Sequence, residues 1–413
     1  MSAAAHCRFC GASLDKLVVD LGEMPLANAY IAEENISRPE PRFPLRVFVC
    51  GVCFLVQTDA DIPPGDIFSD YAYFSSYSQG WLDHARHYCE TMTARFGLTA
   101  ASRVIEVASN DGYLLKDFVA AGIPTLGIEP ARNVAEVARA AGVPTQSLFL
   151  TEETGRRIAR EFGPADLVVA NNVLAHVPAI NDFVEGLRRL LADHGVLTIE
   201  FPHLAELIVH AQFDTIYHEH FSYLSLAAVE RILAAHDLRL FDGERLPTHG
   251  GSLRLYAEPR TSSSRPESER LAQIRAAEHN VGVTRMDYYD GFSRKVASVI
   301  AGLRSFLKRA RGENRTIIAY GAAAKGNTLL NACGATAADI ACVVDRNPHK
   351  QGHYLPGSRL PIRAPAAIDA ARPDYVLILP WNLKAEIMAQ TKHISAWGGR
   401  FVVPIPELTV LDP

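Results

Sequence analysis

Apolar runs and amphipathic stretches alternate through the middle of the chain, and this alternation predicts its fold. The segment SRVIEVASNDGYLLKDFVAAG starts as an apolar strand, passes through small and polar residues, and continues as a helix with Leu114, Leu115 and Phe118 on one face. Further apolar runs follow in TLGIEPA, ADLVVANNVLAHV and HGVLTIEFPHL, and the helical stretch FVEGLRRLL precedes the last of them. Strands that alternate with helices predict a parallel, doubly wound α/β sheet, with its ligand at the carboxyl ends of the strands.

Polar side chains fall at or just after the ends of these predicted strands. The loop EVASNDG lacks the full G-x-G-x-x-G pattern of a dinucleotide site, but its small residues would let a methyltransferase cofactor lie against the backbone. Glu129 follows the next run, where a carboxylate can accept both ribose hydroxyls of an adenosine. Taken singly, each of these residues could cap a helix or lie in a satisfied loop. Together they favour a binding site that contains Glu106, Glu129, Asn171, Asn172 and His176.

A second strand, loop and helix unit occurs near the carboxyl end. RTIIAYGAAAKGNTLLNAC is an apolar strand that runs into a small-residue loop with Lys325 and Asn327, and then into a helix. Backbone amides at a helix N-terminus, together with a lysine, would suit a diphosphate. Later strands end at Asp345, which Lys350 follows, and at Trp381. A purely structural Rossmann-like domain is the alternative, while a cationic GAAAKG loop without a glycine triplet argues against NAD.

Length, composition and charge exclude several classes of protein. A chain of 413 residues is long enough for two or three domains. With 48% hydrophobic and 21% charged residues it is typical of globular proteins, and a formal net charge of -5 gives no reason to expect nucleic acid as a partner. We find neither a signal-peptide pattern nor an uninterrupted apolar run of about 18 residues. We therefore expect a cytoplasmic protein that acts on a small molecule and has no membrane partner.

Two C-x-x-C pairs predict a metal site in the amino-terminal region. CRFC supplies Cys7 and Cys10, and CGVC supplies Cys50 and Cys53. In a reducing compartment four thiolates close a tetrahedral site around zinc and leave no position for water, so we predict structural rather than catalytic zinc. The long segment between the pairs must carry structure of its own, with strands expected around FPLRVFVC. Four unrelated thiols are the alternative, and His6 could compete as a ligand.

The stretch TIYHEHFSYLS, residues 215–225, concentrates histidine, glutamate, tyrosine and serine in an otherwise apolar segment. A core strand would rarely accept so many groups that each need a hydrogen-bond partner. Three interpretations stay open: an active site, a metal site with Glu219 or Asp214 beside the H-x-H histidines, and a structural polar cluster at a domain junction. The spacing lacks the H-E-x-x-H pattern of a hydrolytic zinc helix. In an extended segment His218 and His220 would point the same way, whereas a helical turn would fan them out.

Nine motifs occur in the order found in a known enzyme family: CRFC, CGVC, VASNDGYLL, GIEPA, NNVLAHV, YHEHFSYLS, THGGSLR, AYGAAAKGNTLLN and VVDRNPHKQG. From Cys7 to about Trp381, the chain thereby resembles the S-adenosylmethionine-dependent nucleotide-sugar C-methyltransferases of branched deoxysugar biosynthesis. The resemblance implies an α/β fold with an N-terminal zinc-binding domain (1–75) and a central class I methyltransferase, Rossmann-like domain (76–240). It also implies a C-terminal second Rossmann-like domain that binds the nucleotide sugar (241–413).

The resemblance implies roles for individual residues as well. His220 matches the family's general base, and Glu219 and Tyr217 match neighbours that orient its imidazole and bind the sugar oxygen. The expected catalytic set is His220, Glu219, Tyr217, His176 and Tyr71. The expected cofactor site consists of Glu106, Ser109, Asn110, Gly112, Glu129, Pro130, Asn171, Asn172 and Tyr73. The expected substrate site consists of His249, Gly250, Ser252, Lys325, Asn327, Asp345 and Lys350.

Two of these residues, Tyr71 and Tyr73, belong to the aromatic stretch SDYAYFSSYSQGW. Tyrosines at a domain junction suit the wall of a site, because their hydroxyls can reach a sugar or the cofactor carboxylate. The match to the family is weaker for Tyr77, and packing at the junction is the alternative role for all three.

The reaction implied by the resemblance is methyl transfer from S-adenosylmethionine to C-3 of a nucleotide-linked 4-keto-6-deoxysugar, on a dTDP carrier, through an enolate that histidine generates. Two alternatives stay open. One is methylation at another sugar position or of a GDP- or CDP-sugar, and the other is a nucleotide-sugar-binding protein that keeps the fold without catalysis. We expect S-adenosylmethionine and structural zinc as cofactors, the keto-sugar as the partner, and a monomer.

Overall fold

The computed structural model describes residues 5–60, 62–63, 75–77, 79–262 and 264–413. The strands of these residues form three sheets, and helices connect the strands. The α/β architecture predicted from the alternation of strands and helices is therefore confirmed. None of the helices in these ranges has the length and apolar character that crossing a membrane requires.

The amino-terminal sheet is antiparallel and takes its last strand from a distant part of the chain. Its strands are β1 Lys16–Met24, β2 Phe43–Val49, β3 Val56–Thr58 and β9 Ser222–Tyr223. They are arranged in the order β1-β2-β3-β9, and β2 is the strand expected in FPLRVFVC. Because β9 directly follows the YHEHF motif and pairs with β3, the motif is fastened to the amino-terminal sheet.

The central sheet contains the strands predicted from the apolar runs. Its members are β4 Val104–Val107, β5 Thr125–Ile128, β6 Thr145–Gln146, β7 Ala165–Asn171, β8 Leu191–Pro202, β10 Leu238–Leu246 and β11 Ser252–Pro259. The order is β10-β11-β8-β7-β4-β5-β6, and the strands from β8 to β6 are parallel. The antiparallel edge formed by β10 and β11 was not predicted.

The C-terminal sheet repeats the parallel arrangement. Its strands are β12 Ile317–Tyr320, β13 Val343–Val344, β14 Ile362–Arg363, β15 Tyr375–Ile378, β16 Arg400–Val403 and β17 Thr409–Leu411. The order is β14-β13-β12-β15-β16-β17, with only the last pair antiparallel. The predicted second Rossmann-like unit is present, since β12 is followed by a small-residue loop and a helix.

The α-helices of the described residues are α1 Gln79–Phe96, α2 Leu115–Ala120, α3 Arg132–Ala140, α4 Glu152–Glu161, α5 Ile180–Leu190, α6 Leu204–Val209, α7 Leu226–Ala235, α8 Glu269–Val281, α9 Phe292–Gly312, α10 Ala324–Cys333, α11 Ala367–Ala371 and α12 Lys384–Thr391. Local sequence explains several of their ends. Thr151, Ser225 and Ser268 cap α4, α7 and α8 by accepting a hydrogen bond from a backbone amide three residues on. Gly334 ends α10 in the left-handed conformation that favours glycine.

Sheet membership does not follow the predicted domain boundary at residue 240. The hairpin of β10 and β11 extends the central sheet to Pro259, because β11 pairs along β8 from Ser252 to Ala257. The boundary stays a prediction, but the sheet itself continues past it.

Candidate active site

A cavity of ≈ 600 Å³ lies between the central and C-terminal sheets. Residues at and after the carboxyl ends of β4, β5 and β7 line one side of it, and residues after β12 and β15 line the other. Eleven of the residues predicted from sequence line this one cavity: Asn110, Glu129, Pro130, Asn171, Asn172, His176, Tyr217, His220, His249, Lys325 and Lys350. Residues predicted separately for the cofactor, the substrate and catalysis are therefore brought together.

The loop after β4 takes a strained path beside the cavity. Ala108 and Asn110 have left-handed backbone conformations, with φ of 57° and 49°, which residues other than glycine rarely adopt. Gly112 continues the pattern with φ of 78°, and a Cβ there would lie 2.9 Å from the Val143 side chain. Strain of this kind is found at ligand sites, where the surrounding structure maintains it. The small-residue loop predicted from sequence thus brings main chain to the cavity.

Glu129 holds this loop from the neighbouring strand. Its two carboxylate oxygens accept hydrogen bonds from the backbone amides of Asn110 and Ala131, both at 2.9 Å. Burial raises the pKa of Glu129 to about 7, although the two hydrogen bonds oppose the shift. Because a carboxylate oxygen has two acceptor positions, both oxygens can still accept hydroxyl groups from a ligand.

Two asparagines at the end of β7 present buried polar atoms to the cavity. The side-chain oxygen of Asn171 and both side-chain polar atoms of Asn172 have no hydrogen-bond partner among the described residues. Buried polar atoms without partners are uncommon in native proteins. The two asparagines therefore indicate a polar ligand, and with Glu129 they fit one that carries hydroxyl and amino groups.

Other predicted cofactor residues lie behind this wall. Glu106 is 1% exposed, and burial raises its pKa well above the usual value. Ser109 packs against β5, where a Cβ added at Gly127 would lie 2.5 Å from its hydroxyl oxygen. Gly112 permits the close approach to Val143 described above. These residues support the loop, and their part in cofactor binding stays a prediction.

The YHEHF motif forms a tight turn, in which the backbone amide of His220 bonds to the carbonyl of Tyr217 at 2.9 Å. The imidazole of His220 donates from Nδ1 to the carbonyl of Thr215 at 2.7 Å, since a carbonyl oxygen can only accept. In a neutral imidazole Nε2 then carries the lone pair, and the hydroxyl of Tyr217 donates to it at 3.0 Å. The geometry thereby presents Nε2 as a proton acceptor at the cavity.

Three histidines that line the cavity are neutral at pH 7. Burial lowers the pKa of His220 well below its usual value, and the neighbouring His176 adds to the shift. Burial also lowers the pKa of both His176 and His249 to about 4. The rings of His176 and His220 pack edge to face, with centroids 4.6 Å apart. A neutral imidazole in this setting can accept a proton at neutral pH, as a general base must.

The other two residues of the turn point elsewhere. His218 donates to the carbonyl of Pro44 at 3.2 Å and packs edge-on against Phe43. Glu219 is buried and accepts a hydrogen bond from the Asn28 side chain at 2.7 Å. The turn therefore fans the side chains out, which rules out the extended form. Among the described residues the one group suited to hold a metal ion is the four-cysteine cluster, so the H-x-H metal interpretation has no support there.

On the opposite side of the cavity, the first turn of α10 carries a half-buried lysine, Lys325. The Lys325 ammonium lies 3.4 Å from the side-chain oxygen of Asn382 and 5.0 Å from the centre of the Trp381 ring. Burial lowers its pKa, and Asp214 opposes that shift from beyond ion-pair distance. The indole of Trp381 donates to Asp214 at 2.7 Å, and burial raises the pKa of Asp214 to about 6. A half-buried cation with no carboxylate against it needs an anion, which a ligand can supply.

The second predicted lysine, Lys350, is already in contact with other groups of the protein. Lys350 donates to the carbonyl of Ala322 at 2.8 Å and lies 3.8 Å from a carboxylate oxygen of Asp345. Asp345 also accepts from the backbone amide of Ala322 at 2.8 Å, and the Asn327 side chain accepts from Asn331 at 3.2 Å. Neither Asp345 nor Asn327 lines the cavity, so in the described structure both support the loop that carries Lys325. Their contact with substrate stays a prediction.

The THGG loop is held tightly behind His249. His249 has a left-handed φ of 54°, and the hydroxyl of Thr248 donates to the buried Glu200 at 3.2 Å. At Gly250 an added Cβ would lie 2.3 Å from the Trp381 ring, so no larger residue fits without rearrangement. The Ser252 hydroxyl is used within the loop, where it donates to the carbonyl of Thr248. His249 is thus the side chain that this loop directs to the cavity.

Two predicted residues, Tyr71 and Tyr73, lie outside the described residues, as does the side chain of Tyr77. The structure also adds residues that the sequence analysis did not identify. Asn28, from the amino-terminal domain, and Trp81, from α1, both line the cavity. No spacing or motif marks Asn28, whereas Trp81 ends the aromatic stretch SDYAYFSSYSQGW, in which only the tyrosines were considered as site residues.

The predicted zinc ligands form a compact cluster. The sulfur atoms of Cys7, Cys10, Cys50 and Cys53 all lie within 4.8 Å of one another. The Cys7–Cys53 and Cys10–Cys50 sulfur distances are both 3.5 Å. A tetrahedral site with Zn–S bonds of about 2.3 Å has edges of about 3.8 Å, so the four thiolates fit one zinc ion. The ring of His6 bonds to the carbonyl of Gly11 and does not belong to the cluster.

Three known protein families match successive parts of the chain. Residues 7–68 match the family described as "Putative zinc binding domain", and residues 81–242 match "Methyltransferase domain". Residues 247–406 match "C-methyltransferase C-terminal domain". One relative matches nearly end to end: the C-methyltransferase NovU of Streptomyces niveus is 37% identical over 407 residues, which cover 98% of this chain and 97% of that protein.

Solved structures match a smaller part of the chain. Magnesium protoporphyrin IX methyltransferase (ChlM) from Synechocystis PCC 6803 with bound SAM is 16% identical, with a TM-score of 0.33, and covers 43% of this chain and 79% of its own. A SAM-dependent methyltransferase from Anabaena variabilis ATCC 29413 is 16% identical, with a TM-score of 0.37, and covers 48% of this chain and 96% of its own.

Proposed function

The chain belongs to the C-methyltransferase family, and from this premise we propose that it transfers the methyl group of S-adenosylmethionine to C-3 of a nucleotide-linked 4-keto-6-deoxysugar, carried on dTDP. The observation that carries the proposal is the neutral imidazole of His220, which lines the cavity and whose unprotonated Nε2 accepts a hydrogen bond from the Tyr217 hydroxyl. Carbon, unlike oxygen or nitrogen, cannot attack a methyl donor until a proton has been removed, so a C-methyltransferase of a ketone needs such a base.

The side of the cavity formed by the central sheet suits the cofactor. Glu129 would accept the ribose hydroxyls of S-adenosylmethionine, because both of its oxygens keep an acceptor position. Asn171 and Asn172 would bind the amino-acid part, which supplies partners for their buried polar atoms. When bound, S-adenosylmethionine supplies a methyl group that its sulfonium already makes electrophilic.

The side formed by the C-terminal sheet suits the nucleotide sugar. Lys325 is a half-buried cation at the first turn of α10, where backbone amides add positive potential. A sugar diphosphate would provide the anion that the described residues do not place against Lys325. Lys350, which already bonds to Ala322 and lies near Asp345, would hold the loop in shape.

His220 would remove the C-3 proton. The C-4 keto group acidifies that proton, and its electrons move into the carbonyl to give an enolate when Nε2 takes the proton. The Tyr217 hydroxyl donates to Nε2 before the transfer and would turn to donate to the enolate oxygen once Nε2 carries the proton. A new bond would then join C-3 to the methyl carbon as the bond between methyl and sulfur breaks, the C-4 carbonyl re-forms, and S-adenosylhomocysteine is the leaving group. The proton stays on His220 until it exchanges with solvent.

Neighbouring groups favour this role for His220. The carbonyl of Thr215 fixes the tautomer that leaves Nε2 unprotonated and stabilises the imidazolium formed afterwards. His176 and His249 stay neutral, so they add no fixed positive charge beside it.

Mass spectrometry with position-specific NMR tests the proposal. The protein should convert a dTDP-4-keto-6-deoxysugar and S-adenosylmethionine into a product with one additional methyl carbon bonded to C-3. The same assay with GDP- and CDP-linked sugars identifies the carrier. A methyl group at another carbon or on oxygen would contradict the C-3 assignment, and tight binding of both ligands without turnover would contradict the enzyme.

A further inference from the structure

The amino-terminal sheet reaches the catalytic turn directly. The backbone amide of Thr58, in β3, bonds to the carbonyl of Phe221 at 3.1 Å, one residue after His220. Gln57 is fully buried, pairs with Ser222 in β9, and donates from its side chain to the sulfur of Cys7 at 3.2 Å. The four-cysteine cluster and the YHEHF turn are therefore built onto the same few strands.

Asn28 extends this connection into the cavity. Its side-chain amide donates to a carboxylate oxygen of Glu219 at 2.7 Å, and its side-chain oxygen lies 3.2 Å from the hydroxyl of Tyr30. The Tyr30 hydroxyl donates to the carbonyl of Ala322 at 2.7 Å, in the loop that precedes Lys325. Asn28 thus bonds to the catalytic turn through its amide nitrogen and lies beside a hydroxyl that is bonded to the C-terminal domain.

From Glu219 the contacts continue to the base. The backbone amide of Phe221 bonds to the carbonyl of Ala175 at 2.8 Å, which ties the turn to the segment that carries His176. The His176 ring packs against His220 at a centroid distance of 4.6 Å. A movement of the Glu219 side chain would therefore displace the turn and change the packing of His176 against His220.

We propose that Asn28 is a positioning residue for the general base: the zinc-binding domain uses it to hold Glu219, and through the turn that Glu219 shares with His220 it sets the packing of His220 against His176. The zinc-binding domain is then a structural part of the catalytic centre. The role of the base rests on the proposed function, whereas the positioning itself does not depend on the identity of the substrate.

Two variants separate positioning from folding. In Asn28→Ala the donor to Glu219 is lost, while Asn35→Ala changes an asparagine of the same domain that does not line the cavity. Zinc content and S-adenosylmethionine affinity should equal wild type in both. Turnover should fall roughly 10- to 100-fold in Asn28→Ala, with little change in KM, because misplacement of a reacting group by a fraction of an ångström has effects of that size. Asn35→Ala should keep wild-type turnover.

A third variant gives a readout that a merely structural role would not change. Asn28→Asp keeps the shape of the side chain but places a second carboxyl group against Glu219, and two such groups share a proton. The protonated pair can restore the lost donor. The activity of Asn28→Asp relative to wild type should therefore rise as the pH falls, whereas the ratio for Asn28→Ala should not depend on pH.

Histidine NMR tests the positioning without any sugar substrate. The imidazole resonances of His176 and His220 should shift in Asn28→Ala and stay unchanged in Asn35→Ala. If these resonances are the same in Asn28→Ala and wild type, the proposal is wrong. If they shift but wild-type protein methylates no keto-sugar, the positioning holds and the proposed function fails. Wild-type turnover in Asn28→Ala, with an active wild-type enzyme beside it, would also overturn the proposal.

Discussion

The loop after β4 and the loop after β12 occupy equivalent places in two parallel sheets, yet they meet the same cavity with opposite chemistry. Beside the first stands Glu129, a carboxylate bonded by two backbone amides. At the end of the second, in the first turn of α10, lies Lys325, a half-buried ammonium without a carboxylate in ion-pair contact among the described residues. One strand, loop and helix framework thus presents an acceptor for hydroxyl groups on one side and a cation for an anion on the other.

The two loops also differ in whether main chain or a side chain faces the cavity. The first has left-handed residues at Ala108, Asn110 and Gly112, which bring its main chain to the ligand. In the second Gly321 is the left-handed residue, and the side chain of Lys325 supplies the contact. The comparison shows that fold alone does not define what such a loop binds; the charge of a few side chains at the strand ends does. His220 lies in the cavity that both loops face.

The largest expected effect comes from replacing His220, the proposed base, which lines the cavity between the two loops. His220→Asn keeps the approximate shape and some hydrogen bonding but cannot accept the proton, so kcat should fall about 10²- to 10⁴-fold. Calorimetry should show that both ligands still bind. His218→Asn is the matched control, since His218 bonds to Pro44 outside the cavity, and it should be milder. Equal loss in both variants would mean that the turn acts as one structural unit.

Removing the positive charge of Lys325 should weaken only the binding of the nucleotide sugar. Lys325→Met keeps the length of the side chain and should lower affinity for the nucleotide sugar by about 2 to 5 kcal/mol, because a desolvated charge contact is lost. Affinity for S-adenosylmethionine should be unchanged. The melting temperature should not fall, since the described structure gives this half-buried charge no close carboxylate. A lower melting temperature with unchanged sugar affinity would make Lys325 a structural residue.

Removing the carboxylate of Glu129 should weaken only the binding of S-adenosylmethionine. In Glu129→Ala the charge-assisted hydrogen bonds to the ribose are lost, which should weaken S-adenosylmethionine binding by roughly 1.5 to 3 kcal/mol. Nucleotide-sugar affinity, measured by the same calorimetry, should match wild type. Loss of affinity for both ligands would show that the two sides are not separable, and unchanged cofactor affinity would place the ribose elsewhere.

The smallest expected effect is a pH dependence of S-adenosylmethionine binding, which involves only the side of the cavity that contains Glu129. The pKa of Glu129 is raised to about 7 by burial, and the ionised form is the better acceptor for hydroxyl groups. S-adenosylmethionine affinity should therefore decrease as the pH falls through about 7, by no more than tenfold per pH unit. Glu129→Gln should remove this dependence. Because the pKa of His220 is lowered, its own loss of base function should occur only at more acidic pH.

The two loops also show how far the sequence could predict this molecule. Glu129 and Lys325 were identified because each follows an apolar run or a small-residue loop, and local pattern is enough to mark a strand end. Asn28 was not identified, since its bond to Glu219 joins residues 191 positions apart and only the fold brings them together. The antiparallel edge of β10 and β11 was also missed, because pairing partners are not encoded in the period of a strand.

The sequence also could not predict which nitrogen of His220 is unprotonated. It depends on the carbonyl of Thr215, which fixes the tautomer, and a main-chain acceptor leaves no mark in the sequence. The turn itself decides that His218 and Glu219 face other elements. Residue types and order therefore predicted the chemistry that the site contains, while the role of each nitrogen followed from the tertiary structure.

Hydrogen exchange at C-3 of the sugar tests the central claim most directly, because it isolates proton removal from methyl transfer. Wild-type protein in deuterated buffer, with an unreactive analogue of S-adenosylmethionine and the dTDP-4-keto-6-deoxysugar, should introduce deuterium at C-3, as followed by proton NMR. The account predicts that His220→Asn slows this exchange about as much as it slows methylation. Undiminished exchange in a variant that no longer methylates would contradict the account and assign the base to another residue.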